Sequence, residues 1–233
     1  TAYLKNELTD QEILMSILSN HATSSVVRVE GEIDINDLNR GDYSGEEVAK
    51  RMERASVLAQ VDIHRAATHN KGVMNGIHAV VLATGNDTRG AEASAHAYAA
   101  RDGQYRGIAT WKYDEARGRL VGTIEVPMTL AIVGGGTKVL PVAKASLDLL
   151  NVESARELGH VVAAVGLAQN FSACRALVSE GIQKGHVSLQ YKSLAIVVGA
   201  KGEEISKVAE QLKQEPKANT EAAERILKSI RQS

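Results

Sequence analysis

Cysteine is almost absent from this 233-residue chain, in which Cys174 stands alone. One thiol excludes an intrachain disulfide framework and any cysteine-rich zinc or iron–sulfur site, and it points to a reducing compartment, the cytoplasm. Aromatic residues make up 3% of the chain, with Trp111 and Phe171 the sole members of their types, so a base-stacking platform for single-stranded nucleic acid has little material. Charge of either sign is not in excess, at 27 basic against 28 acidic residues, which argues against a general nucleic-acid or acidic-membrane surface. No apolar run approaches the roughly 20 residues of a bilayer span, and the start lacks a secretory pattern, so no membrane association is expected. What is present is 44% hydrophobic content, enough for a sizeable core built on Val, Leu, Ile and Ala.

Periodicity predicts a mixed chain. Glu12–Ser19 has helical spacing, and Ser25–Ile35 reads as a strand with one wet face. Gly45–Thr68 is expected as one long helix, broken by Lys71-Gly72 and Asn75-Gly76. Ile108–Lys112 and Arg119–Val126 resemble two strands around a turn, with Pro127 ending the second. Asn151 is expected to cap the next helix, whose Gly159, Ala163 and Gly166 permit close helix contact. A separate helix is expected over Ser172–Ser179, and two amphipathic helices, Glu203–Gln214 and Thr220–Arg231, close the chain. Near Gly181 the small-residue composition gives way to a Lys- and Glu-rich tail, where a domain boundary is placed.

Chemistry concentrates in two short spans, Arg65 to Gly76 and Thr84 to Asp87, which set a guanidinium, an amine, an amide and a carboxylate beside glycines and small residues. Lys71 is suited to stabilise an oxyanion, with Asp87 to tune it, yet by spacing alone both are equally ordinary surface residues at element ends. Arg65 is suited to a two-pronged bond with a carboxylate, and Asn75 to a substrate oxygen, while a helix end and a turn explain them as well. His64, His69, His78, His96 and His160 show no metal spacing, and no metal site is expected. His186 follows Lys184-Gly185 beside the boundary, where a mobile segment could deliver it as an acid. The Gly134–Gly136 run lacks P-loop order, and neither a Rossmann fingerprint nor a hydrolase elbow occurs.

His69-Asn70-Lys71-Gly72-Val73-Met74-Asn75-Gly76, Ala83-Thr84-Gly85-Asn86-Asp87, Leu158-Gly159-His160, Gly166-Leu167-Ala168-Gln169-Asn170 and Ser179-Glu180-Gly181-Ile182-Gln183-Lys184-Gly185-His186 together resemble the catalytic half of 3-hydroxy-3-methylglutaryl-coenzyme A (HMG-CoA) reductase, most closely its soluble bacterial class II branch. The resemblance implies an α+β fold: a helix-rich substrate-binding domain (21–180) around a long central helix, the tail of a small cofactor domain (1–20), and a C-terminal flap (181–233) that closes over the site. It implies Lys71, Asp87 and His186 as catalytic residues, Lys71 polarising the carbonyl, Asp87 beside it, and His186 protonating the departing coenzyme A thiolate. Arg65 and Asn75 would hold the substrate, Gln169 and Asn170 would contact substrate or coenzyme A, and Asn20 would lie near the nicotinamide. The implied reaction reduces HMG-CoA to mevalonate and free coenzyme A with two molecules of NADPH or NADH. A homodimer with active sites where subunits meet is also implied.

The family's catalytic glutamate motif and its Asp-Ala-Met-Gly-Ala-Asn cofactor motif lie upstream of Thr1, so the expectation is a C-terminal portion that works with the N-terminal half of the same enzyme. Two other readings stand beside the reductase: a Schiff-base lyase using Lys71, and a non-catalytic fragment that binds substrate or a partner chain.

Overall fold

The computed structural model describes residues 2–7, 11–179 and 182–232, with backbone alone for residues 2, 5, 138 and 182–188. In order it forms helix α1 (Ala2–Glu7), strand β1 (Val26–Asp34), helices α2 (Gly45–Val61), α3 (Ile63–Ala83) and α4 (Thr88–Ala99), and strands β2 (Ala109–Asp114) and β3 (Arg119–Pro127). Helices α5 (Gly135–Val139), α6 (Pro141–Leu150), α7 (Ala155–Val178), α8 (Ile182–Val197), α9 (Glu203–Leu212) and α10 (Thr220–Gln232) follow. The class is α+β, as expected. Packing divides the chain into two units, residues 1–39 with 44–174, and residues 40–43 with 175–233.

The first unit is built on a three-stranded antiparallel sheet of order β1-β3-β2. Central β3 alternates half-buried and buried residues, placing Leu120, Gly122, Ile124 and Val126 on the inner face. Trp111 pairs with Gly122 across the ladder, and a β-carbon at 122 would fall 2.3 Å from the indole ring. Glycine is therefore what lets the tryptophan lie flat on the sheet. Ser56 Oγ of α2 accepts from Trp111 N at 2.9 Å, fastening helix to strand.

The long helix expected over Gly45–Thr68 is two helices. Asp62 takes extended backbone (φ −111°, ψ 117°) and its carboxylate accepts from His64 N at 3.0 Å, ending α2 and capping α3 in one residue. Gly72 and Gly76 do not stop α3, because tertiary packing outweighs their roughly 1 kcal/mol helix penalty. Gly76 and Gly166 lie where α3 and α7 meet. A β-carbon at 76 would come within 2.8 Å of Val165 O, and one at 166 within 2.9 Å of Ile77 Cγ1. Gly166 thus serves the close helix contact anticipated for it, whereas Gly159 faces Met128 and Val27.

Three further expectations are corrected. Glu12–Ser19 is irregular, with Leu14, Met15, Ile17 and Leu18 exposed, so its apolar spacing found no surface of this unit to cover. Asn151 ends α6 in the left-handed region (φ 51°) instead of opening α7, which is capped by Ser154 Oγ accepting from Glu157 N at 3.1 Å. The helix expected at Ser172–Ser179 is the last part of α7, a helix long and apolar enough, by length and composition, to cross a bilayer. One stripe of it, Leu158, Val162, Gly166, Asn170 and Cys174, is buried in protein.

The second unit packs Ala195, Val208, Leu212, Ala223, Ile226 and Leu227 between α8, α9 and α10. Arg231 clasps Glu204 through two 2.8 Å bonds and donates to Gly199 O at 2.9 Å. The hydrogen bond from Arg231 holds the Glu204 carboxyl down at about 2.

Candidate functional site

Helix α3 sorts the first polar span by phase, since residues three or four apart share a face. His69 and Asn70 turn inward. Asn70 Oδ1 accepts from Ile108 N at 2.9 Å while its Nδ2 donates to Arg106 O at 2.8 Å, so the amide stitches α3 to the entry of β2. Lys71 and Asn75, one turn apart, are exposed on the opposite face, which also carries exposed Leu82. Arg65 is half-buried, on the flank that meets α7. Gln169 is exposed on α7 with its Cβ against Gly76, beside Asn75.

The second span is a helix-to-helix turn in which every residue has a structural duty. Thr84 Oγ1 donates to Val80 O at 2.8 Å, and Gly85 takes φ +69°. Asn86 exchanges two bonds with Ala131, accepting at 2.7 Å and donating at 3.0 Å. Asp87 Oδ1 caps α4 by accepting from Arg89 N and Gly90 N, both at 3.0 Å. A β-carbon at 90 would fall 2.8 Å from Asp87 Oδ2, so glycine there leaves that oxygen its room.

Asp87 and Asn20 line one open cleft of about 590 Å³ together with Arg89, Gly90, Glu92 and Ala93. Glu92 is one of two acids, with Glu125, that the sequence offers without matching the family's glutamate motif, whereas Arg89 carries no signal in the sequence until the start of α4 is placed at Thr88. Glu92 lies between His78 Nε2 at 3.7 Å and His96 Nε2 at 3.8 Å, while His96 Nδ1 meets the Tyr105 hydroxyl at 2.7 Å. Among the described residues no group of His, Cys, Asp and Glu has the arrangement to hold a metal ion.

Lys71 and Asp87 are not adjacent within the chain. Asn86 N bonds back to Val81 O, so the chain reverses beside the end of α3, leaving Asp87 on the order of 15 Å along the helix axis from Lys71. No hydrogen bond or ion pair joins the two among the described residues. Asn170 is 2% exposed, with its amide engaged inside the core. His186 falls on α8, and its side chain lies outside the described residues.

The inner groups form a continuous hydrogen-bond chain. Trp111 Nε1, a donor only, gives its proton to Asn170 Oδ1 at 2.8 Å, which fixes the amide's orientation. Asn170 Nδ2 stands 3.3 Å from His69 Nε2 and 3.4 Å from Nδ1; because Nε2 gives its proton to Ala109 O at 2.9 Å, Nδ1 is the nitrogen left to accept from the amide. Burial, with the nearby Arg65 charge second, pushes His69 down to about 4 and keeps it neutral. Cys174 Sγ approaches Asn170 Oδ1 at 3.7 Å and takes a contact from Arg65 Nη2 at 4.0 Å. Burial raises the thiol's pKa, so it stays protonated.

Residues 1–191 match the sequence profile of the family described as hydroxymethylglutaryl-coenzyme A reductase. A 3-hydroxy-3-methylglutaryl-coenzyme A reductase from Archaeoglobus fulgidus is 45% identical over 224 residues, 96% of this chain and 50% of the relative. A solved structure of the Streptococcus pneumoniae reductase superposes with a TM-score of 0.73 at 46% identity, over 98% of this chain and 54% of the other. The class II reductase from the same organism, bound to NADPH in open conformations, gives 0.72 at 46% identity, over 99% and 55%. The chain spans about half the length of the relatives it matches.

Proposed function

Because the chain belongs to the hydroxymethylglutaryl-coenzyme A reductase family, we propose that it supplies the substrate-binding and electrophilic groups of an NADPH- or NADH-dependent reductase that converts HMG-CoA to mevalonate and free coenzyme A. The observation that carries this reading is Arg65, Lys71 and Asn75 set along one helix, each available to a ligand in a different way: a half-buried guanidinium, an exposed ammonium and an exposed amide.

Arg65 pairs with the free carboxylate of the hydroxymethylglutaryl group, and Asn75 bonds a substrate oxygen. Lys71 donates to the thioester oxygen, whose negative charge grows as hydride arrives at the carbonyl carbon. The carbon–sulfur bond then breaks, the electron pair leaves on sulfur, and His186 protonates the thiolate. The aldehyde so formed is reduced again, Lys71 stabilising the second oxyanion until it takes up a proton. The dinucleotide, when bound, supplies the hydride at each step. Its nicotinamide carboxamide suits the Asn20 side chain, an exposed amide on the cleft that Asp87 also lines.

The separation of Lys71 from Asp87 bears on assembly. Two groups about 15 Å apart on one chain serve a single reacting carbonyl only if a second copy brings its own Asp87 to this copy's Lys71. The Lys71 face of α3 supports such a homodimer, as do the exposed apolar side chains Val57, Val61, Leu82, Val139 and Val142 of the same unit. In this reading residues 21–180 form the HMG-CoA-binding domain, 1–20 the edge of the cofactor domain, and 181–233 a flap carrying His186. Gln169 contacts coenzyme A or substrate beside Asn75. The buried thiol of Cys174 suits the cytoplasm.

The test is thioester-dependent oxidation of NADPH or NADH by the complete protein. Lys71→Ala should abolish it, and turnover near wild type would refute the assignment.

A further inference from the structure

We propose that Asn170 is a positioning residue, which together with Cys174 and His69 holds the Arg65 guanidinium from behind with neutral groups alone, so that its charge stays available to the substrate carboxylate. The inference rests on the reading of Arg65 as carboxylate clamp.

A guanidinium that stands half inside a protein is ordinarily matched by a buried carboxylate. Among the described residues Arg65 has none. Its partner there is the Cys174 sulfur, 4.0 Å from Nη2. Cys174 is one turn from Asn170 on α7, as His69 is one turn from Arg65 on α3, so the four side chains face one another where the helices cross. Each link has a direction set by chemistry. Trp111 Nε1–H and the thiol proton both point at Asn170 Oδ1, and Asn170 Nδ2 points at His69 Nδ1. The amide accepts and donates at once, which no charged residue of its size does. Because His69 is neutral and the thiol protonated, nothing in this set offsets the positive charge of Arg65. The helix crossing is close enough for such short side chains because Gly76 and Gly166 bring α3 and α7 together.

The family resemblance suggests Asn170 as a contact of substrate or coenzyme A. Burial at 2% and two core hydrogen-bond partners make its effect on substrate indirect.

The experiment uses the complete protein and compares steady-state kinetics of Asn170→Asp, Cys174→Ala and Arg65→Gln. Asn170→Asp keeps shape and the bond from Trp111 but sets a carboxylate behind Arg65, which then competes with the substrate's. KM for HMG-CoA should rise about tenfold, as for loss of a charge-assisted hydrogen bond, with kcat and the KM for NADPH within about twofold. Cys174→Ala removes the sulfur and should raise the same KM about threefold, again sparing the other constants. An unchanged KM for HMG-CoA in Cys174→Ala overturns the proposal, and so does a parallel loss in kcat and both KM values, which is what a merely structural residue gives. Should Asn170→Asp fail to fold, Cys174→Ala decides alone. Arg65→Gln separates the two levels: if it leaves KM for HMG-CoA unchanged, the clamp reading itself fails, whereas a rise there with no effect at 170 or 174 sinks only the positioning role.

Discussion

Co-expressing two inactive variants of the complete protein, Lys71→Ala and Asp87→Asn, should restore activity. Within one chain, Lys71 projects from the middle of α3 and Asp87 caps α4 beyond its end, on the order of 15 Å away, more than twice what a lysine side chain reaches. If a catalytic centre needs both, it takes one from each of two copies related by a two-fold axis. Random pairing of equal amounts makes about half the dimers mixed. In each mixed dimer one centre carries both lesions and the other neither, so the mixture should show about a quarter of wild-type turnover. Were both residues drawn from the same chain, every centre would carry one lesion. Activity would then stay at the parental level, about 10²- to 10³-fold below wild type for loss of an oxyanion donor. The double variant Lys71→Ala/Asp87→Asn mixed with wild type provides the mirror result: about a quarter of the activity for shared centres, about half for self-contained ones. Thioester-dependent NADPH oxidation on the whole, unfractionated population of dimers reads both. A co-expressed mixture no more active than its parents would refute the shared centre.

The remaining expectations concern single residues. His186→Gln should slow thioester reduction at least about tenfold more than reduction of the free aldehyde, since only the thioester releases a thiolate; equal losses on the two substrates would contradict its role. Gly166→Ala should destabilise the protein by about 1–3 kcal/mol in urea unfolding, because the added methyl falls 2.9 Å from Ile77 where α3 and α7 cross. Stability of the unit that contains His69 should fall by on the order of 3 kcal/mol as pH drops from about 6.5 to about 4, the window between the unfolded and folded values. The sign follows from a folded pKa below the unfolded one, which makes the unfolded chain bind its proton first. An imidazole resonance from His69 that titrates near pH 6.5 in the folded protein would contradict this.

The candidate site is legible in the sequence as residue types, because it is written in short motifs. The residue types in the Arg65–Gly76 and Thr84–Asp87 spans, and the likeness they carry, required no folding. The three strands were legible too, since alternation with β-branched residues reports a half-buried sheet directly. Helix boundaries were less so. Asp62 ends one helix and starts another with no glycine or proline to announce it, and Gly72 and Gly76 sit inside a helix they were expected to break.

Sequence by itself determined which chemical groups this protein owns and which family it resembles, since residue identity and local spacing are properties of the chain. Tertiary structure decided how those groups divide. Neighbours in sequence separate by 100° per residue on a helix, so His69 and Asn70 became core fastenings while Lys71 and Asn75 became surface. Residues 109 positions apart, Arg65 and Cys174, were brought into contact by two helices crossing at glycines. Lys71 and Asp87, a pair on paper, were set apart by the rigid rise of the helix between them.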